Sequence, residues 1–135
     1  MLSRTLRCAF GALSGVGLLA VAAAQSPGVT ADALVLGRVL PRTGVLAGES
    51  KIYAEGMDVL FERINKAGGI NGRKIVVKAY DDAYAPDKAA VAAKTALESD
   101  QVLMMIGGLG TANGLAIAAV SEANKAALVG TTTGA

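Results

Sequence analysis

Short apolar runs alternate with longer amphipathic segments along this chain, and that alternation constrains its fold more than any other feature. Leu34–Leu40 (LVLGRVL) reads as a strand, and Glu49–Ala67 as the helix that follows. In that helix Tyr53, Met57, Leu60, Phe61 and Ile64 recur at spacings of 4, 3, 1 and 3, an apolar stripe at helical period. Lys51, Glu55, Asp58, Glu62 and Lys66 fill the wet face. Gly68-Gly69 supplies the positive φ that ends the helix, and Asn71-Gly72 marks a tight turn. Lys74–Tyr80 (KIVVKAY) is a β-branched strand. Pro86 fixes the next helix start, with Asp87 in its first turn, and that Ala-rich helix extends to about Ser99. Val102–Ile106 (VLMMI) has no polar residue, as expected of a strand covered on both faces. Gly107–Gly110 turns into a helix from about Ala112 to Lys125, and Ala127–Gly130 begins a fourth strand. The order β-α-β-α-β-α-β predicts an α/β fold: an open parallel sheet, helices on both faces, right-handed crossovers.

The N-terminus reads differently. Arg4 and Arg7 precede an uncharged stretch from Cys8 to Ala24, which ends in A-x-A at Ala22–Ala24. This describes a secretory signal peptide over residues 1–24, cut before Gln25. The apolar run is seventeen residues, at the short limit for a membrane span, and is diluted by Gly and Ser. Removing it takes the one Cys, and two of the thirteen basic residues with it, leaving eleven basic against eleven acidic. A neutral body with interspersed charge offers no footprint for nucleic acid. Aromatics are 4% of the chain, which leaves little for stacking bases. There is no His, so His-based triads and His-ligated zinc are excluded.

Ligands of open α/β sheets bind at the carboxyl ends of strands. Four loops meet that condition: Pro41–Ser50, Asp81–Pro86, Gly107–Thr111 and Thr131–Ala135. The Gly107–Gly114 segment (GGLGTANG) links an apolar strand to a helix. It reads either as an anion site at a helix N-terminus or as a plain βα turn. As a dinucleotide fingerprint it fails: its spacing is off by one residue, it follows the third strand, and no acid lies about twenty residues on. Gly68–Lys74 (GGINGRK) lacks the G-K-[ST] of a P-loop and precedes a strand. Asp81-Asp82 are adjacent and point to opposite faces, so helix capping or solvation is expected rather than paired acid–base work. Thr131–Thr133 reads as a polar terminal stretch or as three hydroxyls beside the Gly110–Ala112 turn that suit a small carboxylate or zwitterion. No spacing singles out a nucleophile–base pair, and no cofactor is called for.

Taken in order, LPRTG (Leu40–Gly44), INKAGGINGRK (Ile64–Lys74), YDDAYAPDKA (Tyr80–Ala89), IGGLGT (Ile106–Thr111) and LVGTTTGA (Leu128–Ala135) form a recognisable series. The chain resembles the extracytoplasmic substrate-binding proteins of branched-chain amino acid ABC transporters, the leucine/isoleucine/valine-binding family. The resemblance implies a type I periplasmic binding fold of two hinged α/β lobes. Residues 25–135 would be most of the N-terminal lobe, the opening third of a family member, with the second lobe absent. It implies an amino acid ligand, membrane permease subunits as partners, a periplasmic location and no enzymatic activity. It implies that Thr111 binds the ligand carboxylate, that Thr132 and Thr133 help hold carboxylate and ammonium, and that backbone groups of Leu109 and Ala112 assist. Glu49, in the loop facing the ligand side chain, stands where some relatives carry an aromatic. Gly108 and Thr131 replace prolines common in relatives, and Arg42 replaces a smaller neutral residue. A single lobe leaves the ligand open to water, so affinity no tighter than millimolar is expected, about 4 kcal/mol. A sensory lobe of the same fold is the alternative, and a nucleotide-dependent enzyme half a more distant one.

Overall fold

The computed structural model describes residues 26–134, so the signal-peptide reading of residues 1–24 lies outside the described residues. The elements are β1 (Ala33–Leu40), α1 (Ala47–Lys66), β2 (Lys74–Asp81), α2 (Pro86–Lys94), β3 (Met104–Ile106), α3 (Thr111–Ala123) and β4 (Leu128–Val129). They form one sheet in the order β2-β1-β3-β4, every pair parallel.

Both faces of the sheet are covered, as the alternation predicts. On one face Val39 and Met105 pack against Ala89, Ala93, Ala96 and Leu97 after β2 and against Ile117 of α3. Small side chains let these helices approach the strands closely. On the other face Leu36, Ile75 and Ile106 meet Phe61 and Ile64 of α1. Arg38 points to that same face and is 8% exposed. Its guanidinium grips Asp58 of α1 at 2.7 and 3.2 Å and donates to the Ala54 carbonyl at 3.3 Å. A strand-borne arginine thus seats α1 on the sheet through a fork the carboxylate matches.

Three details depart from the sequence reading. The α1 stripe is half-buried rather than buried, and Leu60, at its solvent edge, is 54% exposed. The helix expected to reach Ser99 stops being α-helical at Lys94 and continues as a wider π turn over Thr95–Ser99. At the changeover the Thr95 hydroxyl donates to the Val91 carbonyl, a side-chain bond that competes with the backbone ladder. The third strand is shorter than Val102–Ile106, because the Val102 N–H turns to the Ala96 carbonyl instead of a neighbouring strand. Elsewhere local chemistry is obeyed: Gly68 and Gly69 take φ of 109° and 82° at the end of α1, and Pro86 opens α2.

Candidate ligand-binding site

From β1 the chain crosses to β2 on one side, then returns to β3 on the other. The carboxyl ends of β1 and β3 therefore flank a topological switch point, where open α/β sheets place their ligands. The turn after β3 carries the glycines of GGLGTANG. Gly110 caps α3 with φ 90°, and no side chain caps that helix end. The first intrahelical bond there runs from the Gly114 N–H to the Gly110 carbonyl, so the N–H groups of Thr111 and Ala112 face outward with no intrahelical partner.

The segment after β4 lies along this turn. The Gly110 N–H donates to the Thr132 carbonyl at 2.9 Å, and the Thr132 N–H to the Gly108 carbonyl at 2.8 Å. Leu109 and Thr132 are thereby paired in parallel, leaving the N–H and C=O of Leu109 outside the pair. Thr111 and Thr132 stand on one edge, both exposed, and neither hydroxyl has a hydrogen-bond partner among the described residues. Thr133 follows directly and is exposed as well. Hydroxyls and helix N–H groups on one edge are suited to a small carboxylate.

Sequence reasoning missed what holds this edge in place. Asp82 is fully buried, so solvation is not its role, and neither Asp81 nor Asp82 caps α2, whose N-terminus has no side-chain cap. Asp82 accepts the Tyr84 N–H at 2.9 Å and the Asn113 amide at 2.8 Å, tying the β2–α2 loop to the first turn of α3. Asp81 points the other way, as adjacent strand residues do. It accepts the N–H groups of Arg42 (2.8 Å), Thr43 (3.2 Å) and Ala83 (2.9 Å) and the Thr43 hydroxyl (2.6 Å), which fixes the β1–α1 loop. Between them Ala83 and Tyr84 adopt positive φ, 47° and 61°, a costly geometry for side-chain-bearing residues. The two carboxylates hold it, and it lays the Tyr84 ring against Gly110: a Cβ at Gly110 would lie 2.7 Å from that ring. Tyr53 of α1 donates its hydroxyl to the Gly130 carbonyl and lies against Gly107. Glu49 stands one turn before Tyr53 on the same side of α1 and is exposed. The only sequence signal for these roles was the YDD run and an aromatic in the α1 stripe.

Four donors draw the Asp81 carboxyl down to about 2, the Thr43 hydroxyl first and the Ala83 N–H next. A depressed folded-state value means that its hold on the β1–α1 loop is complete above about pH 4, the unfolded carboxyl value, and is lost as pH falls through about 2. The amide resonances of Arg42, Thr43 and Ala83 should titrate together near pH 2. A shared midpoint near pH 4 would contradict these contacts.

A parallel α/β sheet with an uncapped helix N-terminus and two unpartnered threonine hydroxyls at its switch point is an arrangement suited to a small molecule. Comparison with known proteins makes this specific. A family model described as "Periplasmic binding protein" matches residues 33–135. The chain is similar to the amino acid binding protein of Pseudomonas aeruginosa, at 36% identity over 94 residues, 67% of this chain and 25% of that protein. It is also similar to the leucine-, isoleucine-, valine-, threonine-, and alanine-binding protein of the same organism, at 35% identity over 89 residues, 66% of this chain and 24% of that protein. Among solved structures, the substrate-binding periplasmic protein of Ralstonia solanacearum superposes with a TM-score of 0.71 at 28% identity, covering 76% of this chain and 30% of that one. The chain belongs to the periplasmic binding protein family and has the type I fold. These relatives are binding proteins, not enzymes. The chain spans about a quarter of the length of the curated relatives it matches.

Proposed function

We propose that this chain forms one wall of an amino acid site in an exported solute-binding protein that serves an ABC importer. Residues 1–24 direct export, residues 25–135 are the N-terminal lobe, and a second lobe of the type I fold closes over the ligand. The backbone pairing of Gly108–Gly110 with Thr132 carries this reading, because it sets the hydroxyls of Thr111 and Thr132 beside the uncapped start of α3. In this arrangement the Thr111 hydroxyl and the Ala112 N–H take the ligand carboxylate, with the backbone of Leu109 beside them. Thr132 and Thr133 share the carboxylate and ammonium, and Glu49 overlooks the ligand side chain from α1. The names of the relatives support an aliphatic amino acid as ligand. Family membership supports a periplasmic location and membrane permease subunits as partners.

Titrating the 15N-labelled chain with leucine, isoleucine and valine tests this. The amides of Thr111, Ala112 and Thr132 are expected to shift together, with dissociation constants no tighter than about 1 mM, or ~4 kcal/mol. Thr111→Ala should weaken the response about tenfold, the loss of one charge-assisted bond of ~1.5 kcal/mol. No response at these amides with about 50 mM of each amino acid, well above a millimolar constant, would refute the rim. Micromolar binding would refute the single-wall reading.

A further inference from the structure

A groove of about 590 Å³ shares no lining residue with the threonine rim. It opens between α1 and the carboxyl ends of β1 and β2. Helix α1 separates the two places. Tyr53 and Met57 look toward Gly107, whereas Ala47, Ser50, Ala54 and Asp58 line the groove at helical spacing. The floor is apolar, with Leu40 and Ala79 from the strands.

Three polar features meet at the end of the groove where α1 begins. The first is the helix N-terminus itself. No side chain caps it. The Ala47 N–H is taken by the Gly44 carbonyl and the Ser50 N–H by the Leu46 carbonyl, which leaves those of Gly48 and Glu49 without an intrahelical partner. A Cβ at Gly48 would meet nothing within 4 Å, so the backbone there is open to approach. The second is Ser50. It is 2% exposed and lines the groove, yet its hydroxyl has no hydrogen-bond partner among the described residues. The third is Arg42. Its backbone is pinned by Asp81, the residue lines the groove, and its guanidinium has no partner among the described residues. The remaining charges are already matched, Arg38 with Asp58 and Lys51 with Glu55. One unmatched cation is left over.

We propose that this groove is a second binding site, which takes a small organic monoanion. Its carboxylate sits between the Gly48 and Glu49 N–H groups, the Ser50 hydroxyl and the Arg42 guanidinium, and a short aliphatic body lies on Leu40, Ala54 and Ala79. An N-terminal helix dipole, two N–H donors and one free guanidinium are the elements that bind such an anion. The site does not depend on the amino acid reading of the rim.

The test is a titration of the 15N-labelled chain with sodium butyrate and, at matched ionic strength, with butylammonium chloride. Butyrate is expected to shift the amides of Gly48, Glu49 and Ser50 saturably, with a midpoint of their own that Arg42→Gln moves and that any response at Thr111 and Thr132 does not share. Butylammonium is expected to leave all of them unmoved. Arg42→Gln should weaken butyrate binding at least fivefold, and Ser50→Ala at least threefold. Arg42 is exposed, so its variant is expected to keep the native spectrum and decides the matter even if Ser50→Ala folds poorly. Unsaturable shifts at Gly48, Glu49 and Ser50, an equal response to butylammonium, or an unchanged affinity in Arg42→Gln would each overturn the proposal.

Discussion

Met105→Ala is expected to cost about 2–5 kcal/mol, enough to remove a large part of the stability of a domain this size. Met105 has no exposed surface and belongs to the cluster that joins the sheet to α2 and α3. Its thioether passes over Gly37 of β1, where a Cβ would sit only 2.8 Å from the sulfur. Truncation removes the transfer energy of the side chain and leaves a void that the surrounding alanines, with no rotamers to rearrange, are ill placed to fill. Met105→Leu nearly conserves volume and should cost less than about 1.5 kcal/mol. Urea denaturation of the two variants separates the cases. Equal midpoints for Met105→Ala and the parent would mean that this face of the sheet is not the core.

The strands, helices and parallel order were legible because they depend on local signals. Alternation of apolar runs with amphipathic stretches gave the α/β class, Pro86 and Gly68-Gly69 gave helix ends, and the Gly107–Gly110 turn fell after β3 as read. The threonine edge was legible only in part. Thr111 and Thr132 are far apart along the chain, and their approach depends on a two-strand pairing that no window of sequence contains. The supports left no more trace in the sequence than the YDD run and the aromatic Tyr53 in the α1 stripe. Asp82 looks like a surface acid until Asn113, thirty-one residues on, is seen to bury it. Arg38 interrupts an apolar strand in a way that a sequence pattern scores as a blemish, yet Asp58 turns it into the bolt between β1 and α1. Such long-range polar pairs carry no periodicity, so patterning passes over them.

Asp82→Ala is expected to destabilise the chain by about 2–4 kcal/mol and to loosen the threonine edge at the same time. The carboxylate is fully buried and satisfies two donors on different elements, the Tyr84 N–H and the Asn113 side chain. A buried donor left without its acceptor costs about 1–3 kcal/mol, and loss of the Asp82 carboxylate leaves two, the Asn113 amide having some room to relax. Asn113 is itself 2% exposed, so water cannot replace the lost acceptor without opening the first turn of α3. The same loss frees Tyr84, whose positive φ is maintained by the Asx turn to Asp82, and with it the ring that lies against Gly110. Asp82→Asn keeps an oxygen for Tyr84 and meets Asn113 if that amide rotates, so it should cost about 1 kcal/mol, a neutral bond in place of a charge-assisted one. A double-mutant cycle with Asn113→Ala should return a coupling of at least ~1 kcal/mol, as expected for direct partners in a buried network. Hydrogen exchange gives the functional half of the result: faster exchange at the Gly110 and Thr132 amides in Asp82→Ala, while β1 and β2 stay protected, would locate the damage at the edge. A variant as stable as the parent, with those amides unchanged, would show that the β2–α2 loop does not brace the site.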